Sequence, residues 1–135
     1  MAKLAHTLFW IYTAALIGVG AAGVFSAEWE LTRLYDLKLT GLEDMLRASV
    51  LNQYRFLKGV EFAFGMYCLV CRDDIFRVLR FNRVFLIGVF AGAGARVFSI
   101  FVDGVPHWAF LVFVAIELAA GVCVLWVTRN KLVAS

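Results

Sequence analysis

Charge is scarce in this sequence. Only 17% of its 135 residues are Asp, Glu, Lys or Arg, and 63% are hydrophobic; soluble domains run at about 25% and about 45–50%. That balance excludes an ordinary soluble globule and indicates a membrane protein. Histidine occurs twice, as His6 and His107, near opposite ends of the topology derived below, so the two cannot share a metal ion or haem. The three cysteines are Cys68, Cys71 and Cys123, with no second Cys pair and no neighbouring His to complete a metal set. There is no glycine-rich phosphate loop outside a hydrophobic run, no fixed-period repeat and no low-complexity linker. The basic residues sit in short stretches beside hydrophobic spans, which argues against nucleic-acid binding. Almost no soluble mass is left for a separate module, and no catalytic set is recognisable, so an enzyme is not expected.

What is present is helical and apolar. The reading is an all-α integral membrane four-helix bundle, one transmembrane domain over residues 1–135, with spans at 8–27, 53–70, 84–102 and 107–127. Each is long enough at 1.5 Å per residue to cross about 30 Å of hydrocarbon, or nearly so. Lys3 ahead of an apolar run and Val24-Phe25-Ser26 loosely imitate a signal peptide; the run is read instead as a retained helix. Trp10, Tyr12 and Trp29 suit the interfaces. Ala14, Gly18 and Ala22 recur every four residues, a spacing that admits a close helix. Gly59 and Gly65 on the second span, and the Gly88/Gly92 pair on the third, are assigned the same packing role. Residues 28–52 form an interfacial outer segment. Thr40 and Glu43 in it fit a capping box, so a short helix is expected from Gly41, and the segment is either a lid or a passive re-entry. Residues 71–82 read as a short loop.

Both termini of a four-span chain lie on one side. That side collects Lys3, Arg72, Arg77, Arg80, Arg83, Arg129 and Lys131, against Arg33, Lys38 and Arg47 on the other. The positive-inside rule then makes both termini cytoplasmic. Five charges fall within the spans. Arg96 stands about 20 Å above Arg83, and Glu117 about 16 Å below Pro106, at the helical rise. With Arg55, Lys58 and Glu61 they belong between the midplane and the outer leaflet. A charge at the membrane centre costs about 2.5–3.5 kcal/mol on insertion scales, so each marks a candidate site.

The stretch from Gly88 to Glu117 organises the chain: two nearly uncharged segments meet at Asp103-Gly104-Val105-Pro106, each carrying one charge. Arg96 and Glu117 can form a charge-assisted pair. Such a pair is either a lock for helix register or one wall of an outward cavity. The five membrane charges sum to +1, which would suit an anionic headgroup or carboxylate. Cys68 and Cys71 form a CxxC at the end of a span that should stay reduced, leaving a membrane thiol oxidoreductase as a minor alternative.

Asn52-Gln53-Tyr54-Arg55-Phe56 with Gly59 and Gly65, then Gly94-Ala95-Arg96-Val97-Phe98-Ser99, Asp103-Gly104-Val105-Pro106 and Glu117-Leu118 with Gly121 together resemble a family of small bacterial membrane proteins known as domain of unknown function 4345, distantly similar to DoxX-type proteins. The match is good over about residues 50–127. It implies a four-helix fold, a bacterial inner membrane, and Arg55, Arg96, Ser99, Asp103 and Glu117 as a polar signature; it implies no substrate. Lys58 and Glu61 depart from the pattern.

The expectation is therefore a non-enzymatic accessory or structural subunit of a larger membrane complex in the bacterial cytoplasmic membrane. Its contacts would be membrane lipids and other integral membrane subunits. Its polar cluster of Arg55, Lys58, Glu61, Arg96, Ser99, Asp103 and Glu117 would lock the fold or hold a lipid or quinone-like molecule, with no metal and no other cofactor. The alternative is a small-molecule or lipid binding or transport protein with an outward-facing cavity.

Overall fold

Helices account for most of the computed structural model, which describes residues 1–133; no strand occurs among them. The order is α1 (Ala2–Trp29), a π-helical turn (Glu30–Leu34), α2 (Asp44–Val70), α3 (Arg72–Arg77), α4 (Leu79–Asp103) and α5 (Trp108–Thr128). Three stretches are long and apolar enough to cross a membrane: Ala2–Leu34, Leu79–Asp103 and Trp108–Thr128. On length and composition this is a membrane protein. The 27-residue α2 does not join them, because every 18-residue window within it contains Arg55, Lys58 and Glu61.

Several boundaries differ from those drawn on the sequence. The first helix does not stop at residue 27. It bends at Ser26 (φ −100°, ψ 17°), where Ser26 Oγ donates to the Ala22 carbonyl at 2.7 Å; a serine bonding four residues back is a known cause of helix bending. The chain then widens into the π-helical turn, with the Tyr35 N–H donating to the Glu30 carbonyl five residues back. The expected interfacial segment is thus largely helical, and its irregular part is only residues 35–43. Asp36 (φ 54°) and Gly41 (φ 90°) make the two left-handed turns there. The helix after them begins at Asp44, with the Glu43 carbonyl accepting from the Arg47 N–H at 2.9 Å, so Thr40 stands outside it and does not cap it. The expected loop at 71–82 contains α3 and the start of α4. Its exit at Val78 is extended (φ −112°, ψ 124°) and forms a single bridge with Val133.

Contacts gather in two compact units, Met1–Thr13 with Tyr67–Ser135, and Ala14–Met66. In the first, Phe9, Ile75, Phe85, Val89 and Val124 are fully buried. Phe9 meets Phe76 edge-on at 5.3 Å and Phe85 at 5.5 Å between centroids. A β-carbon at Gly121 would lie 2.9 Å from Val89 Cγ1 and 3.1 Å from the Phe90 ring, which is how closely α5 lies on α4. Asn82 is buried and donates from Nδ2 to the Ile75 carbonyl at 2.8 Å and to Thr128 Oγ1 at 3.2 Å. It joins α3, α4 and α5 by hydrogen bonds sheltered from water. Between α4 and α5, Gly104 (φ 98°) adopts a backbone conformation that a side chain would strain, and the His107 side chain accepts from the Ala109 N–H at the start of α5.

In the second unit α1 and α2 touch backbone to backbone. A β-carbon at Gly20 would lie 2.6 Å from the Phe62 nitrogen, and one at Gly65 would lie 3.0 Å from the Ile17 nitrogen. Leu31, Tyr35 and Leu39, from the π-helical turn and the irregular stretch after it, are also buried.

Candidate functional site

The polar residues singled out on the sequence fall in both units. In the first, α4 presents Arg96 and α5 presents Glu117. Arg96 Nε lies 3.4 Å from Glu117 Oε2, and the guanidinium carbon is 6.0 Å from the Phe110 ring centroid. Glu117 is buried and Arg96 partly so. Gly92, one turn before Arg96, lies beside the carboxylate: a β-carbon there would be 3.8 Å from Glu117 Oε1, an ordinary contact that does not itself require glycine. Ser99 and Asp103 lie further along α4 and are exposed; Ser99 Oγ donates to Asp103 Oδ2 at 2.8 Å. An acidic side chain in the last turn of a helix is disfavoured by the helix dipole, and the serine hydroxyl offsets that locally.

In the second unit Lys58 Nζ donates to Glu61 Oε2 at 2.9 Å, one helical turn along α2. Lys58 is 4% exposed, so this ammonium is out of reach of solvent. Its stem runs over Gly23 of α1, where a β-carbon would sit 2.5 Å from Lys58 Cδ. Its ammonium lies 5.2 Å from the centroid of the Tyr54 ring, close enough for cation–π attraction. Arg55 is exposed and donates from Nε to the Val24 carbonyl at 3.2 Å, in the turn of α1 just before the bend.

The structure adds a residue that the sequence reading left on the surface. Glu30 is 5% exposed. Its Oε2 accepts from the Tyr54 hydroxyl at 2.5 Å, and its Oε1 lies 2.8 Å from Ser26 Oγ, whose one proton it shares with the Ala22 carbonyl. Tyr35 follows it on the same bend, its ring 6.4 Å from that of Tyr54. A buried carboxylate that accepts hydrogen bonds from hydroxyls costs much less to bury than a bare one. The signal for it is the four-residue step from Ser26 to Glu30, which places both on one helical face once α1 is carried past residue 27.

Glu30 also changes the charge balance. Counted by unit, the second holds Arg55 and Lys58 with Glu30 and Glu61, two positive and two negative, and in the first Arg96 faces Glu117. The excess of +1 that suited an anionic guest disappears when Glu30 is counted.

Of the glycines assigned to packing, Gly65 meets Leu16 and Ile17, and Gly92 lies beside Glu117. A β-carbon at Gly18 or Gly59 would meet nothing within 4 Å. Gly88 is half-buried. Close approach within the chain also uses Gly20, Gly23 and Gly121, the first two falling two residues after Gly18 and one after Ala22 and so off the expected stripe. Cys68 is buried, Cys71 and Cys123 partly so, and all three are free thiols. Among the described residues no group of three or more His, Cys, Asp and Glu side chains gathers around a point that could hold a metal ion.

Residues 4–128 match the model of the family described as a domain of unknown function (DUF4345). No curated protein and no solved structure matches the chain.

Proposed function

Because the chain belongs to the DUF4345 family, whose description assigns no activity, we propose a role from the chain's own residues: a non-enzymatic integral membrane subunit that docks against another membrane protein through one face of α1. Ile11, Ala14, Gly18, Ala22 and Phe25 follow each other at steps of three and four, and all five are exposed. The small residues sit in the middle of the face and the large apolar ones at its ends. In lipid, helices associate through such small-residue surfaces because backbones can approach closely there. This exposed face is the observation that carries the proposal. The buried charges fit it, since each engages a partner within the chain: Arg96 with Glu117 and Glu30 with Tyr54 join different helical elements, and Lys58 with Glu61 pairs within α2.

We read α2 as a fourth span. Glu61 neutralises Lys58, and α2 lies against the Ile17–Gly23 part of α1, the middle of a membrane-crossing stretch. Four spans put both termini on one side, and the seven basic residues gathered there make it the cytoplasmic side of a bacterial inner membrane.

The test is a photo-crosslinking residue placed at Ala22 in native membranes. A crosslinked membrane protein other than this chain, lost in Gly18→Leu without a change in unfolding temperature, is the expected result. Crosslinks to lipid alone, or only to a second copy of this chain, would sink the proposal.

A further inference from the structure

A cavity of about 210 Å³ opens in the first unit, away from every charge pair described above. Its walls include His6 and Trp10 of α1 and Arg72, Asp73, Phe76 and Arg77 of α3. The cavity lies at the beginning of the membrane-crossing stretch Ala2–Leu34, where a span leaves the hydrocarbon. Its walls are of two kinds. The apolar part is aromatic and rigid: the His6 ring stacks on Phe76 with centroids 4.1 Å apart, and His6 Nδ1 lies 2.9 Å from the Ala2 carbonyl oxygen, which holds the ring in place. The polar part is cationic. Arg72 lies over Trp10, its guanidinium carbon 5.9 Å from the ring centroid. The carboxylate beside it, Asp73, stands 3.7 Å from Arg72 Nε, well beyond the about 2.7–2.9 Å of a charge-assisted hydrogen bond. Two guanidinium groups and a single, loosely held carboxylate therefore line the cavity.

We infer that this cavity seats the headgroup of an anionic phospholipid. Arg72 and Arg77 would take its phosphate oxygens, as the forked guanidinium suits, and Trp10 and Phe76 would carry the glycerol and first acyl carbons. Basic pockets at the ends of transmembrane helices recognise acidic headgroups in this way. The volume is below the about 300–1,000 Å³ of sites that enclose a drug-sized ligand, so it fits a headgroup and not a whole cofactor. The inference is independent of the docking face on α1 and of which side of the membrane the termini occupy.

The experiment is native mass spectrometry of the full chain, released from mixed micelles of phosphatidylglycerol and phosphatidylcholine. One retained phosphatidylglycerol, preferred over phosphatidylcholine, is expected. Arg72→Ala with Arg77→Ala should lower that preference by about tenfold or more, with helicity unchanged. Asp73→Asn removes the one carboxylate in the cavity wall and should raise retention, an effect that general damage to the fold would not produce. Equal retention of the two lipids, an unchanged preference in the double variant, or unchanged or lower retention in Asp73→Asn would each overturn the inference. So would displacement of the lipid by millimolar inorganic phosphate, which would mark a site for free anions.

Discussion

Gly23 and Lys58 occupy what is in effect one position between α1 and α2: the lysine stem fills the volume that any side chain at residue 23 would need, with Cδ 2.5 Å from the place of a β-carbon. This one contact explains how a lysine can be buried along a helix that lies against a hydrophobic span. The methylenes pack as an apolar side chain, and only the ammonium needs a polar partner, which Glu61 supplies.

The first prediction compares two glycines. At Gly20 the obstacle is the backbone of Phe62, which cannot move without displacing α2. At Gly23 it is the stem of Lys58, which can shift if the Glu61 contact is loosened. Gly20→Ala should therefore destabilise more than Gly23→Ala, by about 1–3 kcal/mol for overpacking at the former. Gly18→Ala, with open space around it, should be close to neutral. Denaturant unfolding in detergent micelles, followed by circular dichroism, gives the order; a Gly18→Ala loss equal to that at Gly20 would contradict it.

A second prediction concerns Lys58 and Glu61. Removing one member of a buried pair leaves the other charged without its compensation, at a cost of about 3–5 kcal/mol. Lys58→Met alone should be strongly destabilising. Lys58→Met with Glu61→Gln should recover most of the loss, because methionine refills the volume over Gly23 and the amide carries no charge. A double-mutant cycle measures the coupling, and additive losses would show that the pair is not a unit.

The third prediction is for the π-helical turn. Tyr54→Phe removes the hydroxyl that donates to Glu30 Oε2 and keeps the ring beside Lys58. A hydrogen bond to a charged group contributes about 1.5–3 kcal/mol, and a loss of that size is expected. Tyr54→Phe combined with Glu30→Gln should lose less than Tyr54→Phe alone, since the amide needs less stabilisation than the carboxylate. Hydrogen exchange at residues 30–37 should quicken in Tyr54→Phe and slow again in the double variant. Exchange rates that stay at the native level would mean the turn does not depend on this bond.

Much of this was legible without coordinates. The apolar runs at residues 8–27 and 84–102 fall inside helices that are long enough to span, and the run at 107–127 matches a third to within one residue, because hydrocarbon thickness alone sets the length required. The turn at Asp103-Gly104-Val105-Pro106 announces itself by Gly and Pro together, and Gly104 does take the left-handed backbone. Arg96 and Glu117 meet, as two opposite charges on adjacent spans at similar depth must if neither is to face lipid. The family membership was also readable, from ordered motifs that extend over most of the chain.

Other features were not. Glu30 reads as a surface residue because it follows Trp29 and precedes charged positions; only the bend at Ser26 and the π-helical turn swing it inward, toward a tyrosine 24 residues later. Asn82 lies in a basic stretch that looks like a loop, yet it is buried because α3 folds back and offers it the Ile75 carbonyl. The glycines are the plainest case. Periodicity places Ala14, Gly18 and Ala22 on one face of α1, but residues two apart on a helix point about 200° from each other. Whether Gly18 or Gly20 meets α2 depends on rotation about the helix axis, which no local pattern records.

The sequence by itself determined the medium, the helical class, three stretches long and apolar enough to cross a membrane, and the family, since hydropathy, length and motif order are properties of the chain taken along its length. Tertiary structure decided which charge meets which donor, which glycine admits a neighbour and which small-residue face stays open. Those are distances between segments far apart in sequence, and they follow from how the helices rotate and approach when they pack.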